Sequence, residues 1–589
     1  MNSLGNIASA GHDASPSFPD NIALGRQALI AWRATESNDW FGDNTAFVQL
    51  VGRYTAQEPA VRQRLTAFGQ AMAAAEPEVH RYSHDPHTPV LERFDRLGRR
   101  HERVRFDPAY HRVGAAVYGS GVMALTGQRG RAVEQAALVI LAGHHGEGGH
   151  LCPLACTAGL IKAIQQVGHP ALQRALLPGL TDANYGTRLH GAQFLTEVQG
   201  GSDVGANATA ANLVQAEQPD LPALWAITGE KWFCSVVDAP LYLLTARPSP
   251  AAAGTRGLGL FVVPHDLPPR DRVQAAALSH AGFEVPNAVN QFAIRRLKSK
   301  LGTRAMASGE VDWQGALAWQ LGPIDRGFHN VVEVVLNTSR LFNAMACVGG
   351  MWRAYREAAG FARHRQAFGH TIAAYPAVDQ ALAQLYAEAL AATASTLDLA
   401  ALGDEGAQPE ALRLGVNMNK YWTSVRCTQM VRAAMEVLAG NAAIEDFTPL
   451  GRLYRDCMVT EAWEGTHNVL AAQTWRDMVK LGLHGPWLQW VLRRCAALTG
   501  TMAETLRLRL GALQSAAQGL VAHSDPGLAV LPTRAWMENA MVTYQAVVLA
   551  EQCAGSALPL AVVDHFLALH PLRTAVTERG WWPDRVALQ

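Results

Sequence analysis

The chain has no excess of charge of either sign. Its 50 basic and 50 acidic residues cancel, and only 17% of the 589 residues are charged. A general electrostatic attraction to nucleic acid or to an anionic membrane is therefore not built into the whole molecule. With 49% hydrophobic residues, the composition is that of a well-buried globular protein. A chain of this length is expected to form two to four structural units.

Signals for secretion, membrane insertion and metal binding are also lacking. Residues 1–20 show no basic segment followed by an apolar one, and apolar stretches such as 136–142 are too short to span a bilayer. Of the eight cysteines only Cys152 and Cys156 are close, so no zinc-type quartet is present, and the 21 histidines show no metal-ligand spacing. We expect free thiols, no metal site, no membrane segment and a cytoplasmic location.

Zones of different periodicity follow one another along the chain. A loose tail over 1–20 precedes a mostly helical zone over 21–188, and short β-rich runs then fill 189–318. The helical period returns over 319–484, and a further helical segment covers 485–589. These zones predict an α+β fold with an N-terminal helical domain, a middle antiparallel β-barrel or sandwich, and a C-terminal helical bundle with a helical extension.

Several elements can be assigned within these zones. A long helix is predicted over 410–438, where Gly440 stands in position to end it. The loop 146–153, with its glycines and its Cys-Pro step, is expected to interrupt any helix. Five segments are predicted as strands of the middle domain: 192–195, 225–228, 241–245, 258–263 and 290–297.

One carboxylate stands between an indole and a glycine-threonine turn, in the string Trp463-Glu464-Gly465-Thr466. A carboxylate beside apolar surface can have its pKa raised toward neutrality, which suits a general base. The string alone is weak evidence, because a surface glutamate at a helix end is the more common origin of such a string. Two upstream segments add weight to the functional interpretation: they read LTEVQGGSDV from residue 195 and TGEKWFCS from residue 228.

Together, in this order and separation, these segments resemble the acyl-CoA dehydrogenase flavoprotein family, and most of all its AidB-like branch. The resemblance covers about residues 140–480. It implies a FAD-dependent oxidoreductase, a homotetramer, that removes an α-proton and a β-hydride from an acyl thioester such as an acyl-CoA. The electron acceptor stays open. Two alternatives also stay open: a flavoenzyme acting on an amine or carrier-bound acyl group, and a DNA-associated protective protein.

The resemblance assigns five residues to the flavin. The loop that contains Thr196, Gly201 and Ser202 lies in the family against the flavin ring and pyrophosphate, where small residues allow close backbone approach and amides and hydroxyls can bind phosphate oxygens. Phe233 and Ser235 stand where the family often has Trp and Thr, so an aromatic wall and a hydroxyl donor are kept.

Further cofactor contacts are implied downstream. Arg365 and Phe368 match an Arg-x-x-Phe-Gly segment whose Arg and Phe reach the FAD of a neighbouring subunit, and an arginine suits a pyrophosphate. Read without the resemblance, this string is a basic helix end capped by Gly369. Asn468 is a further implied FAD contact.

The sequence departs from the family most clearly at Glu436, Ala439 and Ala442. Many relatives have Gln at the first position and a glycine-rich run at the others. Added methyl groups would tighten a loop that passes close to the adenosine half of FAD, and a carboxylate near a diphosphate is unfavourable. Whether this segment contacts FAD stays open.

The family places its catalytic base at either of two positions. Most members use the Glu that matches Glu464, and another group uses the residue directly before the Arg that matches Arg340. Here that residue is Ser339, which cannot serve as a carboxylate base, so the resemblance implies Glu464. Arg340 is then either a residue of the active-site edge or a member of a helix-surface ion pair.

The final segment bears on nucleic acid. In the AidB-like branch the C-terminal extension is basic, and the branch is associated with DNA binding. Here residues 485–589 contain eight Arg, no Lys and seven acidic residues, a net charge near +1. DNA binding needs several clustered cations that face phosphates. We therefore expect weak binding of nucleic acid.

Overall fold

The computed structural model describes residues 18–268 and 289–573. Most of the loose tail predicted over 1–20 lies outside the described residues, and residues 18–20 already belong to the first helix. Residues 574–589, part of the predicted extension, also lie outside them. The domain boundaries drawn from sequence stay predictions, but the order of helices, strands and helices confirms the α+β fold class.

Helices dominate the N-terminal region. They are α1 (Phe18–Ala34), α2 (Thr45–Tyr54), α3 (Pro59–Tyr82), α4 (Pro108–Gly119), α5 (Ala132–Gly143), α6 (Gly148–Val167) and α7 (Pro170–Leu180). Between α3 and α4 the chain forms an antiparallel hairpin, β1 (Val90–Phe94) with β2 (Arg100–Arg105), which the sequence pattern did not predict.

The expected interruption of a helix at the Cys-Pro step is wrong, because α6 runs through Pro153. The helix begins with a capping glutamate: Glu147 accepts hydrogen bonds from the backbone N–H groups of Gly149 and His150. Proline cannot donate to the carbonyl of Gly149, but the hydroxyl of Tyr110 donates to that oxygen at 2.8 Å. The missing backbone bond is thereby replaced.

The middle region is a small barrel. Its strands are β3 (Gly191–Phe194), β4 (Ala210–Gln215), β5 (Leu224–Ser235), β6 (Leu241–Pro248), β7 (Gly259–Pro264), β8 (Phe292–Leu297) and β9 (Ser308–Gln320). The pairings β6–β4–β5–β9–β7–β6 close a ring, while β3 flanks β6 and β8 flanks β9. The β3–β6 and β4–β6 pairs are parallel and the others antiparallel.

The barrel strands match the predicted segments in part. All five predicted segments fall on strands, namely β3, β5, β6, β7 and β8, whereas β4 and β9 had no prediction. The interior is filled by aromatic rings: Tyr242 packs against Phe194, Phe292 and Trp313 at centroid distances of 5.0, 5.7 and 5.8 Å. This rigid core supports the loops that leave the barrel.

The C-terminal region is a helical bundle with an extension packed on it. Its helices are α8 (Asn337–His364), α9 (Pro376–Glu405), α10 (Pro409–Leu438), α11 (Leu450–Ala462), α12 (His467–Leu481), α13 (His484–Ala496), α14 (Gly500–Val521), α15 (Pro526–Cys553) and α16 (Ala561–Leu569). A two-stranded hairpin, β10 (Gln366–Ala367) with β11 (His370–Thr371), separates α8 from α9. Helix α10 agrees with the predicted 410–438.

Buried polar contacts tie the extension to the bundle. Tyr544 on α15 donates to Asp398 on α9 at 2.6 Å, and Arg494 on α13 pairs with the same carboxylate. Trp422 on α10 donates to Gln545 at 3.1 Å. Because satisfied buried networks fix one packing arrangement, the extension is an integral part of the bundle.

One described helix is long and apolar enough to cross a membrane. It spans Ile324–His364, and 61% of its apolar window is buried inside the protein. Such burial is that of a core helix, and α8 indeed packs against α5, α9 and α10. Length and composition alone are therefore weak evidence for a membrane span.

Candidate functional site

The loop that carries Glu464 has an unusual backbone. Helix α11 ends at Ala462 and Trp463 is extended, after which Glu464 (φ +55°) and Gly465 (φ +106°) both have positive φ. Glycine adopts such angles freely, but other residues do so at a cost and stay there only where surrounding contacts enforce it. The loop is therefore held in a conformation that it would not favour alone.

Arg340 on α8 is one of the groups that hold this loop. It is only 2% exposed, and its Nε donates to the carbonyl oxygen of Glu464 at 3.1 Å while Nη2 donates to Gln473 Oε1 at 2.9 Å. Its Nη1 is buried without a hydrogen-bond partner among the described residues. The helix-surface ion pair that the sequence left open is wrong, since Arg340 lies inside the protein beside Glu464.

Lys420 on α10 holds the same loop. Its Nζ donates to the carbonyl oxygens of Glu461 and Gly465, at 2.9 Å each. Sequence reasoning missed this residue. Because α10 is buried on all sides over 414–424, its hydrophobic pattern gave no signal that would single out one position.

The carboxylate of Glu464 is available to take up a proton. Burial raises the pKa of Glu464, and the charges of Arg340 and Lys420 partly oppose this. Among the residues that the structure describes, the carboxylate makes no hydrogen bond and no ion pair. A partly buried carboxylate with free lone pairs and two cations nearby has the properties of a general base.

The alternative position for a base carries no carboxylate. Ser339 is 1% exposed, and its hydroxyl donates to Gln193 Oε1 on β3 at 3.2 Å. The amide of Gln193 in turn donates to the carbonyl oxygen of Cys156 on α6. This polar chain connects α6, β3 and α8 behind the Glu464 loop.

The Glu464 loop meets the barrel through Trp463. The indole packs partly against the barrel core, and its ring lies 3.4 Å from where a Cβ on Gly148 would stand. Close by, the backbone N–H of Thr303 donates to Asp456 on α11 at 2.6 Å. Elements of all three regions of the chain therefore converge beside Glu464.

The second part of the site is the loop after β3. Its start is anchored by Glu197, which is buried, pairs with Lys231 at 2.8 Å and accepts a hydrogen bond from the hydroxyl of Thr209 at 2.6 Å. The backbone N–H of Trp232 donates to the carbonyl oxygen of Thr196 at 2.9 Å. These contacts tie the loop to β5.

Beyond this anchor the loop is open and suits a flavin nucleotide. Val198 and Phe233 are 60% and 55% exposed, an apolar surface on which a planar ring can lie. A Cβ on Gly201 would stand 2.4 Å from Thr196 Oγ1, so a larger residue there would displace the Thr196 side chain. Within the described residues the backbone N–H groups of Gly201 and Ser202 donate no hydrogen bond. Free amides and hydroxyls are the donors that a pyrophosphate requires.

Ser235 lies at the end of β5 next to a chain of polar contacts. Its Oγ is 3.2 Å from Ser308 Oγ, which also accepts a hydrogen bond from Lys300 Nζ at 3.0 Å. Burial lowers the pKa of Lys300 to about 8, with Asp456 among the groups that oppose this. Ser235 is thus connected, through the segment after β8, with the helix that precedes Glu464.

The remaining predicted cofactor residues lie apart from these two clusters. Phe368 is 93% exposed at the turn between β10 and β11, and Arg365 is exposed with no ion pair among the described residues. Asn468 is exposed in the first turn of α12. Within a single chain, the structure places Glu464 beside Arg340, and the loop of Thr196, Gly201 and Ser202 beside the end of β5 that carries Phe233. The side chains of Arg365, Phe368 and Asn468 instead face solvent.

The segment that departs from the family has a strained backbone. Ala439, directly after α10, has φ +52° and ψ −137°, which glycine adopts far more readily. Glu436 is exposed and Ala442 is 3% exposed. The alanine therefore keeps the backbone path of a glycine, although it adds a methyl group.

Three family models match the chain in succession. The AidB N-terminal domain matches residues 32–187, the acyl-CoA dehydrogenase middle domain matches 192–315, and the acyl-CoA dehydrogenase C-terminal domain matches 325–479. AidB of Escherichia coli (strain K12) is 31% identical over 432 residues, which cover 71% of this chain and 74% of AidB. The chain belongs to the acyl-CoA dehydrogenase family. Its activity is that of an oxidoreductase of this type, and its cofactor is FAD.

A relative with a solved structure supports the same assignment. Acyl-CoA dehydrogenase family member 11 of Caenorhabditis elegans is 28% identical over 407 residues, 66% of this chain and 62% of the relative. The crystal structure of C. elegans ACDH-11 in complex with C11-CoA superposes with a TM-score of 0.76 at 25% identity, covering 91% of this chain and 92% of that one. The resemblance inferred from the motifs, including its AidB-like character, is confirmed.

Across 18–268 and 289–573, no group of three or more His, Cys, Asp or Glu side chains is arranged to hold an ion. The eight cysteines are all free and buried.

Proposed function

We propose that the protein oxidises an acyl-CoA by removing the α-proton and the β-hydride, and that Glu464 is the base. The observation that carries the proposal is the Glu464 carboxylate, which has no hydrogen-bond partner among the described residues and a pKa raised by burial. The complex of the C. elegans relative with C11-CoA supports an acyl thioester as substrate.

The chain's own groups account for the proton transfer. A Glu464 carboxylate oxygen accepts the α-proton, and Arg340 keeps the loop in place through its hydrogen bond to the Glu464 carbonyl oxygen. The Glu464 backbone N–H has no acceptor among the described residues, so it can donate to the thioester oxygen as negative charge develops there.

FAD would be held by the loop after β3 and the end of β5. Thr196, Gly201 and Ser202 would supply amides and hydroxyls, and Phe233 and Ser235 an apolar wall and a further hydroxyl. Bound there, FAD supplies an acceptor for the hydride that leaves the β-carbon. Asn468 is proposed as an additional contact.

We also propose that the protein forms a homotetramer. Phe368 lies exposed at the turn of the β10–β11 hairpin and Arg365 lies exposed directly before it, as expected of residues that reach the FAD of another subunit. The ring of Phe368, which is 93% exposed, is available for contact with a neighbouring subunit. We further propose a cytoplasmic protein with weak affinity for DNA, since the whole chain has no net charge.

The test is the visible spectrum of the purified protein under anaerobic conditions. We expect a flavin spectrum that bleaches on addition of an acyl-CoA, because the substrate hydride reduces the flavin. A series of chain lengths, with a matched amine and a carrier-bound acyl group as controls, identifies the substrate class. A flavin that no acyl-CoA reduces, but that one of the controls does, would overturn the proposal.

A further inference from the structure

Lys420 is a buried cation without a carboxylate partner. It is 0% exposed, and within the described residues it forms no ion pair. A buried charge is costly to desolvate and is normally paired with an opposite charge. Here Nζ donates instead to two backbone carbonyl oxygens, those of Glu461 and Gly465, which stand on either side of Glu464.

These two bonds fix the path of the loop. Glu461 belongs to the last turn of α11, where carbonyl oxygens lack helical donors, so Lys420 supplies the missing one. Four residues further on, it binds the carbonyl of Gly465. Between these two points the backbone turns into the positive φ of Glu464. The lysine therefore holds both ends of the strained segment, while Arg340 binds the carbonyl oxygen of Glu464 between them.

We propose that Lys420 is a positioning residue for the proton abstraction: it holds the segment 461–465 through the carbonyl oxygens of Glu461 and Gly465, and so keeps the Glu464 carboxylate in its reactive orientation. The inference rests on the proposed role of Glu464 as base. Lys420 acts through the loop and touches neither substrate nor cofactor itself.

The charges around Glu464 predict how the loss of Lys420 would change the pKa of Glu464. Arg340 from α8 and Lys420 from α10 favour the ionised carboxylate, and the thiol of Cys156 from α6 lies within electrostatic reach. Without the lysine, burial is opposed by Arg340 alone, and the pKa of Glu464 rises. The other titratable groups that face Lys420 are Cys347 on α8, Glu461 on α11 and His467 on α12.

The experiment compares Lys420→Met with wild type, both as FAD-loaded enzyme. Methionine keeps the apolar stem but lacks the donors and the charge. We expect normal FAD content, an unchanged dissociation constant for acyl-CoA, and anaerobic flavin reduction slowed about 100-fold, as for a misplaced catalytic group. The acid limb of the rate against pH should move to higher pH, because a base with a raised pKa is ionised only at higher pH. Lys480→Met, at the exposed end of α12, serves as the matched control and should behave as wild type.

A second variant separates the effect of the hydrogen bonds to the loop from the effect of the charge. It also keeps the inference testable if Lys420→Met does not fold. Lys420→Gln keeps hydrogen-bond donors without charge, so it should recover part of the rate but retain the shifted pH limb. Wild-type rates and pH dependence in either folded variant would overturn the inference. Losses of FAD and of substrate affinity in step with the rate would also overturn it, because they indicate a general structural role.

A failure of the proposed function can be distinguished from a failure of the role proposed for Lys420. If Glu464→Gln reduces flavin at the wild-type rate, Glu464 is not the base, whatever the lysine variants do. If Glu464→Gln is inactive while Lys420→Met keeps the wild-type rate and pH dependence, only the role of Lys420 is refuted.

Discussion

At the scale of single residues, the site depends on buried charges that are held by hydrogen bonds to the backbone and, for Glu197, also by an ion pair with Lys231. Arg340 and Lys420 bind carbonyl oxygens of the Glu464 loop, and Glu197 accepts hydrogen bonds at the base of the flavin loop. The motif around Glu464 could be read from sequence because its residue types are distinctive. Lys420 could not, because only the folded helix shows that its amine reaches the loop 41 residues downstream.

The buried Glu197–Lys231 pair gives a prediction for cofactor binding. Burial would raise the pKa of Glu197, but Lys231 and hydrogen-bond donors hold it at about 2. Lys231→Met leaves a buried unpaired carboxylate, which costs about 3–5 kcal/mol and should release the flavin loop. We expect the variant to purify with little FAD, measured by absorbance after denaturation. The double variant Lys231→Met with Glu197→Gln removes the unpaired charge and should regain FAD, whereas full FAD content in the single variant would contradict this role.

The same pair sets an acid limit. A carboxylate whose pKa is lowered in the folded state contributes stability that is complete above its ordinary value of 4.5 and is lost as pH falls toward about 2. Release of FAD, followed by its fluorescence during acidification, should therefore begin below that ordinary value in wild type. In the double variant this part of the pH dependence should be absent.

At the scale of elements, the segments that could be predicted were those whose apolar residues recur at a regular helical spacing or form a continuous run. The long helix α10 and five barrel strands were found by their periodicity and apolar runs. The hairpin β1–β2 was missed because the segment 93–105 carries six arginines, four of them in the strands, instead of alternating apolar residues. Strand β9 contains Gly309 and Gly315, so its extended state depends on pairing with β5 and β8. Such tertiary pairing is not visible in a single segment.

The hairpin β10–β11 supports a prediction about assembly. If Phe368 packs on a neighbouring subunit, Phe368→Ser removes apolar contact there and weakens the tetramer. The variant should dissociate at protein concentrations at which the wild type stays assembled, and it should lose FAD on dilution. Sedimentation velocity and flavin fluorescence measure both effects. Leu97, 71% exposed at the tip of the other hairpin, offers the control: Leu97→Ser should change neither. An unchanged tetramer with full FAD in Phe368→Ser would exclude this hairpin from the interface.

At the scale of the whole molecule, the order of helices, barrel and helices brings distant segments to one place. Residues of α6, the segment before β9, and α11 meet beside Trp463. The family could be identified from sequence because its motifs keep their order and separation. The contacts that join them, such as Thr303 with Asp456, could not be predicted, because they are set by packing between regions more than 150 residues apart.

The most direct test of Glu464 as the base is anaerobic flavin reduction by acyl-CoA in Glu464→Gln, compared with wild type. Glutamine keeps the shape of the side chain but cannot accept the proton. We expect the variant to retain FAD and to bind acyl-CoA, while flavin reduction slows by at least the ~100-fold that loss of general-base catalysis causes. Flavin reduction at close to the wild-type rate in this variant would contradict the assignment of Glu464 and favour a different oxidation chemistry.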